Sequence, residues 1–117
     1  MDDKMERIVD RDAILELVGG DSDLLKEVVA LFLTDCPRLF DDIRGSISDQ
    51  NSEVLQRSAH SVKGALQILA AESAIEKAIV LELIGKNSEF SKAEAAFKEL
   101  EREVERLLPE LNQLAIG

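Results

Sequence analysis

From Phe97 to Leu114 the chain sets Phe97, Leu100, Val104, Leu107, Leu108, Leu111 and Leu114 in sustained three-four spacing, with acidic and basic residues between them. Apolar residues recurring at that period line one side of an α-helix and leave the other side to solvent. A helix of this kind has to cover its stripe, so the segment is expected to pack along a bundle.

Turn-like punctuation divides the rest of the chain into four more helical segments. A short amphipathic piece, about Asp10 to Val18, ends at Gly19-Gly20, where glycine readily supplies a left-handed terminus. Asp21 or Ser22 caps a second helix running to about Ile47, with Leu24, Leu25, Val28, Phe32, Leu39, Ile43 and Ile47 as expected core and a kink or break at Pro37. After the polar turn Ser48 to Ser52, either Asn51 or Ser52 caps a third helix over about 52–70. A fourth spans about Glu72 to Gly85. Ser91 with Glu94 forms a candidate capping box for the fifth, in competition with Ser88.

The fold class that follows is all-α: an antiparallel up-down four-helix bundle with an additional short N-terminal helix, an elongated coiled coil being the alternative. At 117 residues the chain is expected to be a single domain over 1–117 with its core over about 10–114. Two prolines, four phenylalanines and neither tryptophan nor tyrosine suit a helical chain.

A net charge of −10 works against phosphate backbones and anionic membranes, so neither nucleic acid nor a membrane surface is expected as a partner. No apolar run approaches the roughly 20 residues of a membrane span, and Met1-Asp2-Asp3-Lys4 lacks the start of a signal peptide. A cytoplasmic monomer is expected. Cys36 and His60, the only residues of their kinds, are too few for a structural zinc site, and Cys36 reads as a core or boundary thiol. Asp2-Asp3, Asp41-Asp42 and the Glu101 to Glu105 run read as solvated charge; no metal site and no cofactor are expected.

The chemistry concentrates in His60-Ser61-Val62-Lys63-Gly64-Ala65. At roughly 100° per residue, Arg57, His60, Lys63, Gly64 and Gln67 share one helix face, while Leu55, Val62, Leu66 and Leu69 line the opposite one. His60 therefore points outward. A mid-helix glycine costs roughly 1 kcal/mol relative to alanine, so Gly64 calls for a packing or a functional reason, such as the close approach of another backbone.

These residues carry a resemblance. The pattern His-x-x-Lys-Gly-(small)-x-x-x-(aliphatic)-Gly-Ala is met by His60, Lys63, Gly64, Ala65, Leu69 and Ala71 and resembles that of histidine-containing phosphotransfer (HPt) domains. Asp21-x-x-Leu24-Leu25 with Phe32, Asp35 and Pro37 upstream, and Leu81-Glu82 downstream, are also similar to the family. Ala70 stands where the pattern usually has glycine and Leu66 where a small residue is common, so local packing against the neighbouring helix is expected to differ.

The resemblance implies a phosphorelay intermediate that takes a phosphoryl group from a receiver-domain aspartate and passes it to another receiver, with no kinase activity of its own. The receivers would belong to response regulators or to a hybrid histidine kinase, and any Mg²⁺ would sit in the receiver's acidic pocket. A non-phosphorylated helical adaptor and the phospho-accepting domain of a chemotaxis-type kinase are the competing readings. An independent hydrolase is disfavoured, because the chain lacks a second histidine and any recognisable nucleotide-binding loop.

Within the leading reading, His60 Nε2 is the attacking atom. Glu82, the sole charge in the apolar run Ala78 to Ile84, is the best acceptor for Nδ1–H, with a solvent-facing carboxylate as the alternative. Lys63 supports the phosphoryl oxygens electrostatically. Arg57, Gly64, Ala65 and Gln67 form the partner-binding rim.

Overall fold

Side-chain caps begin the first three helices of the computed structural model, which describes residues 10–116. Asp10 accepts from the Ala13 N–H to open α1 (Arg11–Leu17), Asp21 from Asp23 and Leu24 to open α2 (Ser22–Asp49), and Asn51 from Val54 to open α3 (Ser52–Ile68). Asp21 and Asn51, not their serine neighbours, are thus the caps, each replacing an orphan amide's water partner at a typical gain of about 1 kcal/mol. Then follow α4 (Glu72–Lys86) and α5 (Ala93–Ile116). The capping box expected from Ser91 and Glu94 does not form: a 3-10 turn, Phe90–Lys92, leads into α5 instead. The pair Asp2-Asp3 and the start Met1 to Lys4 lie outside the described residues.

Four helices, α2 to α5, close the bundle: α2 packs on α3, α3 on α4, α4 on α5 and α5 back on α2, with α1 against α2. The elongated coiled coil is excluded, since the described residues extend 40 × 31 × 19 Å, no longer than the roughly 42 Å of a 28-residue helix such as α2. Leu55, Val62, Leu66 and Leu69 of the α3 stripe are all buried, as are Phe97, Leu100, Val104, Leu107 and Leu111 of α5; Leu108 and Leu114 are half-buried. At the α2–α5 seam, Phe40 and Phe97 meet edge to face at 5.3 Å, and Arg44 lies over the Phe97 ring while pairing with Asp41 and Glu101 at 2.7 Å each.

The stripe of α2 differs from expectation. Leu24 is exposed, and Val28, Leu39 and Ile47 are half-buried, whereas Val29, Cys36 and Phe40 join Leu25, Phe32 and Ile43 inside. The helix is unbroken through Pro37, which sits on its exposed side. A break there would have reset the phase; without one, the 3.6-residue period runs straight through and selects Cys36 and Phe40 over Leu39. Burial pushes the Cys36 thiol up to about 11, making it an inert core group.

Helices α1 to α4 end alike. In each, a residue at the cap (Gln50 in α2) or just after it (Gly19, Ala70 and Ser88) turns left-handed and the next amide reaches back to a carbonyl five residues earlier: Gly20 to Leu15, Asn51 to Ser46, Ala71 to Leu66 and Glu89 to Ile84. Only the first uses glycine, at Gly19; Gln50, Ala70 and Ser88 hold φ of 52°, 55° and 55°. The expected packing change at Ala70 is therefore a conformational one. A non-glycine residue in this region is strained by roughly 1–2 kcal/mol, partly offset by the unfolded-chain entropy that glycine adds. Ala70→Gly is expected to raise stability by about 0.5–1 kcal/mol in urea denaturation; a loss of stability would show that the Ala70 side chain contributes more by packing than its backbone loses.

Gly85 sits inside α4 against α3. A Cβ built there would lie 2.8 Å from the Gln56 amide nitrogen, 3.0 Å from its Cα and 3.2 Å from Leu55 Cγ. The α3–α4 seam closes on this glycine, and the next turns of both helices bring His60 and Glu82 together.

Candidate functional site

On α3, the small and core residues Ala59 and Val62 pack inward and turn His60 out, its side chain 65% exposed. Glu82 reaches across from α4, one turn before Gly85, and places Oε2 2.9 Å from His60 Nδ1. Its other oxygen, Oε1, lies 2.9 Å from Lys63 Nζ. One carboxylate thus holds two donors from successive turns of α3, and the solvent-facing alternative for Glu82 is not what the structure has.

Partial burial works to raise the Glu82 carboxyl, but hydrogen bonds and charge from Lys63 and His60 outweigh it and hold the group below the usual carboxylate range. At neutral pH Glu82 is consequently ionised and can only accept. In the neutral imidazole, Nδ1 must then carry the proton, and Nε2 presents its lone pair to solvent.

Linkage fixes the sign of the pH effect. A depressed carboxyl contributes stability that is fully present above its unfolded value, about 4.3 for a glutamate, and is lost as pH falls through the lower folded value. Glu82→Gln is therefore expected to be less stable than wild type at pH 7, with the gap closing in acid when urea midpoints are compared. A gap that does not change with pH would mean that the charge of Glu82 is immaterial to the fold.

The other rim residues lie where the helix face put them. Arg57 and Gln67 are exposed, and Gly64 and Ala65 half-buried. A Cβ at Gly64 would meet nothing within 4 Å, so its reason is not packing within this chain. Arg57 does not pair with the carboxylate that joins His60 and Lys63. Instead it borders a groove of about 550 Å³ between α2 and α3, lined among others by Leu31, Phe32, Leu39, Ala65 and Ile68.

That groove is what sequence reasoning missed. The available signal was Leu31, 61% exposed because it is out of phase with the buried α2 stripe. The tie between Lys63 and Glu82 was missed as well, since the lysine was read against the phosphoryl group alone. Of the acidic runs, Asp41 and Glu101 pair with Arg44, Asp42 with Arg38 at 3.7 Å, and Glu103 with Arg106 at 3.3 Å. Among the described residues no cluster of histidine, cysteine and carboxylates could hold a metal ion.

The Hpt domain family model matches residues 27–110, a span that holds His60, Lys63 and Glu82. The chain belongs to the Hpt domain family. As an Hpt domain it is a phosphocarrier in histidine phosphotransfer within a phosphorelay, and Hpt domains interact with receiver domains. Among solved structures it is similar to histidine-containing phosphotransfer protein B (HptB) from Pseudomonas aeruginosa PAO1, with a TM-score of 0.75 and 19% identity over 93% of this chain and 89% of that one. No curated protein matches. No helix among the described residues of this Hpt domain is long and apolar enough to cross a membrane.

Proposed function

We propose that His60 accepts a phosphoryl group from a receiver-domain phospho-aspartate and passes it to an aspartate of another receiver. The observation that carries this reading is the exposed His60 ring with Nδ1 engaged by an ionised Glu82, which leaves Nε2 as the free nucleophile. In the forward step the Nε2–P bond forms as the acyl-phosphate P–O bond breaks and the aspartate leaves as carboxylate. The Nδ1 proton stays on the ring, shared with Glu82, and the reverse step restores the neutral imidazole.

Lys63 is close enough to follow the incoming charge, because its partner Glu82 already sits against the ring. An ammonium there offsets the repulsion that a net charge of −10 exerts on a phosphoryl group. The smooth patch at Gly64 and Ala65 lets a receiver's backbone come close enough for in-line displacement, while the α2–α3 groove beside it offers apolar surface for the same partner. Any Mg²⁺ belongs to the receiver's acidic pocket.

The test mixes the purified chain with phosphorylated receivers from the same genome and follows labelled phosphate. Acid-labile, alkali-stable label on this chain, chased onto a second receiver, is the expected result. Absence of transfer across the full receiver set would overturn the proposal in favour of a kinase-fed or adaptor role.

A further inference from the structure

The exposed side of α4 carries large apolar residues among its charges. Ile79, Val80 and Leu83 are 40%, 47% and 50% exposed on an outward ridge. The flanks of that ridge are already committed: Glu82 turns to α3 and its His60, and Lys77 turns to Glu99 of α5 at 2.9 Å. Leu83 follows Glu82 directly, and consecutive helix residues point about 100° apart. A partner seated on the ridge would therefore not hold a reacting group over His60, which separates this surface from the phosphotransfer face.

The charges on the ridge are ordered. Glu72 and Glu76 lie toward the start of α4 and Lys86 at its end; among the described residues neither Glu76 nor Lys86 makes a salt bridge, although the charge of Glu76 acts on neighbouring Lys77. Such an order is self-complementary when the helix meets a copy of itself running the other way. A twofold axis beside residue 81 sets Ile79 opposite Leu83 of the second copy and Glu76 opposite its Lys86, each pair occurring twice as an isologous interface requires. A parallel copy would place like charges together.

We propose that the α4 ridge is a self-association surface on which a second copy of this chain packs antiparallel, in place of the monomer expected from the sequence. The pairing leaves His60 and the α2–α3 groove of both copies open to receivers. Only one helix of each chain takes part, well short of the about 1,600 Å² of a standard interface, so the dimer is weak, with a Kd on the order of 100 µM.

Sedimentation velocity across the micromolar to sub-millimolar range at physiological salt should show a reversible monomer–dimer equilibrium. Leu83→Asp is expected to weaken it by more than about tenfold. Glu76→Lys and Lys86→Glu should each weaken it about fivefold, and the double exchange should return it to within about twofold of wild type. All three positions are exposed, and circular dichroism checks that each variant is folded. A wild type that stays monomeric throughout would overturn the proposal, as would a dimer indifferent to Leu83→Asp. A double exchange that fails to recover would overturn the antiparallel register and leave the charges serving only the dipole of their own helix.

Discussion

His60→Gln is expected to lose phosphoryl uptake entirely while keeping its fold and its receiver binding. The imidazole is the group with a free lone pair at this face; a glutamine amide delocalises its nitrogen lone pair into the carbonyl and offers no comparable nucleophile. The fold has little stake in the exchange, because the ring is 65% exposed and, among the described residues, its hydrogen-bond partner is Glu82 alone. An exposed substitution of this kind changes stability by about 0.5 kcal/mol or less, and the remaining Lys63–Glu82 pair keeps the carboxylate satisfied. The measurements are labelled phosphate on the variant, its urea midpoint, and its affinity for a receiver. Label retained on the glutamine variant would remove His60 from the chemistry. Lost label with lost binding would show instead that the ring is a docking element.

Gly85→Val is expected to destabilise the protein by about 3 kcal/mol, at the upper end of what overpacking a closed interface costs. The added Cβ would meet backbone, the Gln56 nitrogen at 2.8 Å and its Cα at 3.0 Å, so no rotamer change relieves the contact. One helix has to move off the other. Gly85→Ala is the graded case: alanine gains roughly 1 kcal/mol of helix propensity but carries the same Cβ, so a smaller net loss is expected in urea denaturation. Moving the helices apart also lengthens the bridge from Glu82 to His60, one turn along the same seam, so transfer to the variant should slow even under conditions where it is folded. A Gly85→Ala protein more stable than wild type would show that the seam has room to spare.

Local features were the legible ones. His60, Lys63 and Gly64 stand within one turn of each other in sequence, so arithmetic on a helix placed them on one face without knowing what that helix packs against. The stripes of α3 and α5 were readable for the same reason. The α2 stripe was misjudged beyond Pro37, where a kink or break was expected, and also before it, where Leu24 and Val28 border the buried face without entering it. Pairings between helices left no trace in periodicity: the contact of Gly85 with Gln56, the carboxylate shared by Lys63 and His60, and the groove between α2 and α3 all depend on how distant segments meet. The left-handed turns at Gln50, Ala70 and Ser88 escaped because each lacks the glycine that usually advertises such a terminus.

A loaded carrier would hold a dianion on Nε2 and a carboxylate below Nδ1, with Lys63 the ammonium already bound to that carboxylate. Whatever Lys63 gives to the phosphoryl group it withdraws from Glu82, so the loaded state never collects the full attraction of its nearest cation. On the proposed reading Glu82 would thereby help set the group-transfer potential of the phosphohistidine, and a relay step that runs close to level could run in either direction.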